Sequence, residues 1–146
     1  MAGYSGTPLI GKLGIKPAHK IALIAAPAGY LSTLGELPPE AKVVRGARGT
    51  LDFIQLFVKR LSDLEAQLPK CKAAIADDGM IWVSWPKKAS GVATDVTEDV
   101  IRRVALSIGL VDIKVCAVDD TWSGLKLVIP VKDRAARKQA HSGLES

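Results

Sequence analysis

WVSWPKKASGVATD, Trp82 to Asp95, is the stretch whose reading decides the fold. Its first residues finish an apolar run of strand length that begins at Met80. Pro86 ends the run, because proline has no backbone N–H to give to a strand ladder. Two lysines and a series of small residues then let the chain turn. Beyond the turn, Val96, Val100, Ile101, Val104, Ala105 and Ile108 recur on one helical face. Asp95 followed by Glu98 has the form of a capping box, with Thr94 as the alternative cap. Gly109 stops the helix, as glycine does at C-termini. A strand, a loop and a helix in this order make one unit of an α/β fold. The strand is continuously apolar, which suits a parallel sheet covered on both faces.

The same pattern extends outward. Upstream, Leu61, Leu64, Leu68, Cys71 and Ile75 mark a second helix, closed by Asp77-Asp78-Gly79. Before it, LDFIQLFV (51–58) is another apolar strand, and KIALIAA (20–26) a third, bounded by Pro17 and Pro27. A short helix is expected from Thr7-Pro8 to Leu13, with Thr7 as cap, and another over 29–34. Residues 41–45 form a weak strand. Only a few residues separate it from 51–58, and parallel crossovers normally take about a dozen, so it is expected to run antiparallel to that strand. Downstream, 111–118 and 125–131 form a hairpin joined by DDTWSG. The expected fold is α/β. It is a single three-layer, Rossmann-like domain over 1–131, with a mixed, mainly parallel sheet, helices on both faces and a C-terminal antiparallel hairpin. Residues 132–146 form a basic tail.

Composition excludes several classes. The chain has 146 residues, 48% hydrophobic and 24% charged, which is a globular profile and not a disordered one. No apolar run is long enough for a membrane span. The opening MAGYSGTPLIGKLGIKPAHK lacks the apolar stretch of a signal peptide, so the cytoplasm is the default location. Cys71 and Cys116 read as small reduced core residues. With His19 and His141 the only histidines, no pair has metal-ligand spacing. The net charge of +5 permits attraction to nucleic acid. No recognised nucleic-acid motif accompanies it, and the basic residues are expected to be solvated.

From Asp52 onward the order of DFIQLFVK, the leucine-striped helix, DDGMIWVSWP, the next helix, GLVDIKVCAV and GLKLVIPV resembles the second half of S-adenosylmethionine-dependent methyltransferases. That resemblance implies the fold and not the activity. Those enzymes carry a glycine-rich turn after the first strand and an acid after the second. Here the corresponding segments are IAAPAGY, with Gly29 alone, and VVRGARGT, with Arg45 and Arg48. No cofactor is therefore expected. The opening SGTPLIGKLGIKP, together with WPKKASGVATDVTEDV and VCAVDDTWSGLKLV, is also similar to a family of short bacterial proteins of unknown function. That similarity supplies no catalytic residues.

In open α/β sheets ligands bind beyond the carboxyl ends of the strands. The loops reaching that edge carry Pro27 to Tyr30, Lys59 and Arg60, Pro86 to Asp95, and Asp119 to Trp122. The candidate ligand-binding residues are Trp85, Lys87, Lys88, Ser90, Gly91, Asp119, Asp120 and Trp122. The lysines would supply charge, Ser90 and Gly91 donors, and a tryptophan an apolar wall. The aspartates would act as acid or base, or orient a cationic group. The plainer reading has Trp82 and Trp85 anchoring the strand, the lysines solvated, and the aspartates pairing with them or bonding the hairpin turn. The expected function is a non-catalytic or regulatory domain that binds a small anionic ligand. The alternatives are an enzyme acting on a small anionic substrate, and a protein-interaction module or homodimer presenting an exposed apolar patch at Trp122 or an uncovered sheet edge.

Overall fold

The protein, as a computed structural model, is described over residues 8–134. Six strands form one sheet in the order β2-β1-β3-β4-β6-β5. They are β1 (Lys20–Ile24), β2 (Lys42–Val44), β3 (Leu51–Phe57), β4 (Ile75–Pro86), β5 (Val111–Ala117) and β6 (Trp122–Val128). β2, β1, β3 and β4 run parallel, and β6 is antiparallel to both β4 and β5. Helices α1 (Leu9–Leu13) and α2 (Tyr30–Leu34) lie over one face, and α3 (Leu61–Ala74) and α4 (Glu98–Ser107) over the other. No described helix is long and apolar enough to cross a membrane. Gly14 ends α1 in a left-handed conformation, φ 85°, as the sequence predicts. Pro8 occupies the cap position itself, and Thr7 lies outside the described residues.

The weak strand corrects the expectation of a reversed β2. It runs parallel to β1, and β1 separates it from β3. The reason is its length of three residues. Val44 pairs at the level of Ala22, while Phe53 pairs with Ile21. The return to Leu51 thus retreats about 10 Å and passes two strand spacings, about 10 Å more. Residues 45–50 can span roughly 20 Å when extended, which is enough. The dozen-residue minimum holds for a crossover that retraces a full-length strand. Ala47, within this link, packs on the α3–α4 side.

Two boundaries also move. Ile75 adopts extended geometry, φ −82° and ψ 139°, and pairs with Leu51, so α3 ends at Ala74 and Asp77-Asp78-Gly79 lie inside β4. Ile75 is buried in the same core either way, so a helical stripe could not reveal the change. The ladder then bulges, from Leu51 opposite Ile75 to Phe53 opposite Met80. Gly79 makes the bulge possible. A Cβ there would stand 2.8 Å from Ile75 Cγ1 and 2.9 Å from the Asp52 carbonyl oxygen. At the other end of the sheet, β6 begins at Trp122, three residues earlier than expected from the apolar pattern. A second irregularity falls in β5 between Asp112 and Lys114.

The core divides by face. On the α3–α4 side, Ile54, Leu56, Ile81, Val83, Leu125 and Leu127 meet Leu64, Leu68, Cys71, Ile101 and Ala105. Lys72 of α3 donates from Nζ to the Ile108 carbonyl at the end of α4. On the α1–α2 side, Phe53, Phe57, Trp82 and Trp122 meet Leu13, Tyr30 and Leu34. The indole N–H of Trp82 donates to the Leu13 carbonyl, 2.8 Å away, which fixes α1 on the sheet. Lys132, Asp133 and Arg134 of the basic tail are described, and Arg134 Nε donates to the Ile129 carbonyl. The remainder of the tail, with Arg137, Lys138 and His141, lies outside the described residues.

Candidate functional site

β1 leads through α2 toward β2 on one side, and β3 leads through α3 toward β4 on the other. Their carboxyl ends therefore part, leaving a crevice at the position where such sheets accept ligands. A cavity of about 290 Å³ opens there, lined by Ala25, Pro27, Phe57, Lys59, Arg60, Asp63 and Trp122. Ala25 and Pro27 come from the end of β1. Ala25 holds φ 58°, a strained value for a residue with a Cβ, and Gly29 follows at φ 80° before α2. Lys59 and Arg60 leave β3 exposed to solvent, and Asp63 faces them from the first turn of α3.

The floor is aromatic. Phe57 meets Trp122 edge-on at 5.0 Å and Tyr30 edge-on at 4.8 Å. Beneath it runs a buried polar chain. The Tyr30 hydroxyl donates to Gln55 Oε1 at 2.7 Å, and Gln55 Nε2 donates to Ser84 Oγ at 3.0 Å. Gln55 and Ser84 are 0% exposed, so these bonds are what make their burial tolerable. Burial pushes the Tyr30 hydroxyl's pKa far up, opposed by the Gln55 bond and aided by the negative charge of Asp119. Tyr30 is therefore a neutral donor in this chain.

The β4–α4 loop holds the cationic rim in place. Thr94 Oγ1 donates to the Lys59 carbonyl at 2.6 Å and accepts the Val96 N–H. Asp95 Oδ1 accepts the N–H of Leu61, the first residue of α3, at 2.7 Å. The Asp95 N–H donates to the Lys59 carbonyl. Neither residue caps its own helix. Thr97 does that, its Oγ1 accepting the Val100 N–H, which corrects the expected cap. Asp95 instead caps α3 from another loop, and Thr94, through the Lys59 carbonyl, helps it grip the turn that carries Lys59 and Arg60.

The residues singled out from sequence are brought to one edge and then divided. The Lys87 N–H donates to the Thr121 carbonyl at 2.7 Å, and Pro86 pairs with Trp122. Trp122 is buried, so it offers no exposed apolar patch, and it lines the crevice. Trp85 points to the opposite face, into the core under α3 and α4, and shares no wall with Trp122. Lys88 to Ser90 form a short 3-10 turn closed by Gly91 at φ 77°. Ser90 Oγ donates to the Lys87 carbonyl and accepts the Val92 N–H. Asp119 Oδ1 accepts the N–H groups of Thr121 and Trp122, both at 2.8 Å. Asp120 and Lys88 are exposed. Strand order also brings Lys59 and Arg60 to this edge, although neither is among the candidates chosen from sequence. The signal that points to them is position, directly after the apolar run of β3. Among the described residues no group of three or more His, Cys, Asp or Glu could hold a metal ion.

A mostly parallel sheet ending in an antiparallel pair, with a crevice at its switch point, defines the methyltransferase-like Rossmann fold. Solved structures share it. A SAM-dependent methyltransferase from Aquifex aeolicus matches with a TM-score of 0.59 at 14% identity, over 84% of this chain and 88% of that one. A TehB-like SAM-dependent methyltransferase from Corynebacterium glutamicum matches with a TM-score of 0.56 at 16% identity, over 88% and 91%. Ribosomal protein L11 methylase from Lactobacillus delbrueckii subsp. bulgaricus matches with a TM-score of 0.55 at 13% identity, over 83% and 74%. Identities this low speak for the fold alone. Among curated proteins none matches. Residues 47–131 match the family model described as Protein of unknown function (DUF3052), and the chain belongs to that family.

Proposed function

We propose that this chain is a non-catalytic or regulatory domain that binds a small anionic ligand in the crevice between β1 and β3. The observation that carries the reading is the pairing of two exposed cations, Lys59 and Arg60, with the aromatic floor of Phe57 and Trp122 at the switch point. A ligand with a phosphate or carboxylate and a flat apolar part matches both. The Lys87–Thr121 bond ties the loop of Lys87 and Lys88 to the residue before Trp122, which supports adding their charge to that of the rim.

The donor set does not fit S-adenosylmethionine. β2 ends at Val44 and is followed by Arg45, where the resemblance places a carboxylate for the ribose hydroxyls. The sulfonium is itself cationic, and of the three charged residues lining the cavity Lys59 and Arg60 oppose it while Asp63 alone would attract it.

A thermal melt with nucleotides, acyl-coenzymes, sugar phosphates and S-adenosylmethionine tests the reading. An anionic ligand at about a hundredfold excess over its Kd should raise Tm by roughly 10 °C. Lys59→Ala and Arg60→Ala should each remove most of that shift. Stabilisation by S-adenosylmethionine that is lost on changing Ala25 or Pro27 would overturn the proposal.

A further inference from the structure

Part of the net charge of +5 gathers on one face of the sheet. In the β5–β6 ladder Lys114 stands directly opposite Lys126, and Cys116 opposite Gly124. A Cβ on Gly124 would touch the Trp82 ring, and Trp82 is bonded to α1 through Leu13. Lys114 and Lys126 therefore open on the α1 side. α1 carries Lys12, and Lys16 follows its end. The electrostatic neighbours agree with this placement. Lys114 and Lys16 act on Lys126, and Lys12 and Lys114 act on Cys116. Among the described residues the ion pairs are those of Arg102 with Glu98, Asp99 and Asp112, on the α4 side, and none involves these lysines.

Like charges directly opposite on neighbouring strands are destabilising. Here the cross-strand pair is joined by two more cations from a different element. The half-buried position of Lys126 and its lysine neighbours lower its pKa, the mark of an ammonium short of counter-charge. The chemistry of the missing anion follows from the side chains. Lysine offers a point charge suited to phosphate and lacks the planar fork that reads carboxylates or base edges. The groups are spread over α1, the residues after it and the adjoining face of β5 and β6, which suits a polymer laid across them. The large aromatic residue of this region, Trp82, is buried, so it provides no platform for the unstacked bases of a single strand.

We propose that the α1-side face of β5 and β6, with Lys12, Lys16, Lys114 and Lys126, docks the phosphate backbone of a nucleic-acid duplex without regard to base sequence. The strip lies farther along β6 than Trp122, so it is independent of the crevice and does not rest on the function proposed for it.

Fluorescence anisotropy of the full-length chain with a labelled DNA duplex of about 20 base pairs reads the salt dependence directly. If the four lysines each neutralise one phosphate, log Kobs should fall against log salt with a slope of about −3.6. Lys114→Ala/Lys126→Ala should bring the slope to about −1.8. The same variant should melt about 1–4 °C higher without DNA, because the like-charge pair is gone, and this excludes misfolding as the cause. Lys132→Ala/Arg137→Ala/Lys138→Ala, in the tail, should leave most of the slope intact. Absence of binding at low salt overturns the proposal. So does binding that follows the tail variant alone, or tighter binding to anionic lipid vesicles or a polyglutamate peptide than to the duplex.

Discussion

The two faces of the sheet are made from the same strands and work differently. Beneath α3 and α4, the buried residues of β3, β4 and β6 are aliphatic apart from Trp85 near the end of β4, and they meet leucine, isoleucine, alanine and Cys71. Contacts of this kind add cohesion in proportion to buried area and ask little of orientation. Beneath α1 and α2 the other residues of those strands include Phe53, Gln55, Phe57, Trp82, Ser84 and Trp122. Edge-on rings and buried hydrogen bonds hold each group at one angle. One face supplies stability, and the other supplies the geometry of the crevice floor.

The largest effect is expected on the aliphatic face. Leu68→Ala should cost about 2–5 kcal/mol in a urea titration. It should leave ligand affinity unchanged in the molecules that remain folded. On the aromatic face Gln55→Ala orphans the Tyr30 hydroxyl and Ser84, at about 1–3 kcal/mol. Combining Gln55→Leu with Tyr30→Phe and Ser84→Ala removes every partner at once and should recover much of that loss. If the triple variant is as unstable as Gln55→Ala, the polar chain is not what distinguishes the faces.

The cysteines extend the comparison to pH. Burial pushes the Cys71 thiol from 9.0 up to about 12, so the folded chain keeps its proton where the unfolded chain loses it. The contribution is complete below pH 9.0 and is lost as pH rises toward 12. One unit above the unfolded pKa, the loss should be about 1.4 kcal/mol. Urea midpoints of Cys71→Ala should decline less over this range. Cys116, half-buried on the other face with Lys12 and Lys114 opposing its upward shift, should contribute a weaker slope. The smallest effect belongs to the loop that grips the rim. Asp95→Ala should cost about 1 kcal/mol, as loss of a cap does, and weaken the anion-dependent shift in Tm. An unchanged shift would separate the grip from the site.

What could be read from the sequence follows the range of the interaction behind it. The stripes of α3 and α4 and the apolar runs of β1, β3 and β4 are local periodicities, and they were legible. The direction of β2 depended on how far its return had to travel, which only the register of Val44 and Phe53 against β1 reveals. VATDVTED offers Thr94, Asp95 and Thr97 as caps, and local pattern cannot choose among them. The choice is made by Lys59 and Leu61, more than thirty residues upstream. The edge at which the candidate crevice opens was legible from strand order. That Trp85 and Trp122 fall on opposite faces was not, since it requires the pairing of Pro86 with Trp122.

The two irregular margins of the sheet have a consequence for how this molecule meets copies of itself. A bare outer strand is a template on which a neighbour's strand can grow, and long flat ones seed aggregates. β2 presents three residues to such a neighbour, too short a stretch to nucleate on. β5 is longer, yet its ladder is broken between Asp112 and Lys114, and an exposed lysine stands at the break. A short margin on one side and a bent, charged one on the other shorten the flat edge on which such growth could start. Ile113 and Val115 of β5 stay exposed at that margin, so the break and the lysine, and not burial, are what interrupt a flat apolar edge.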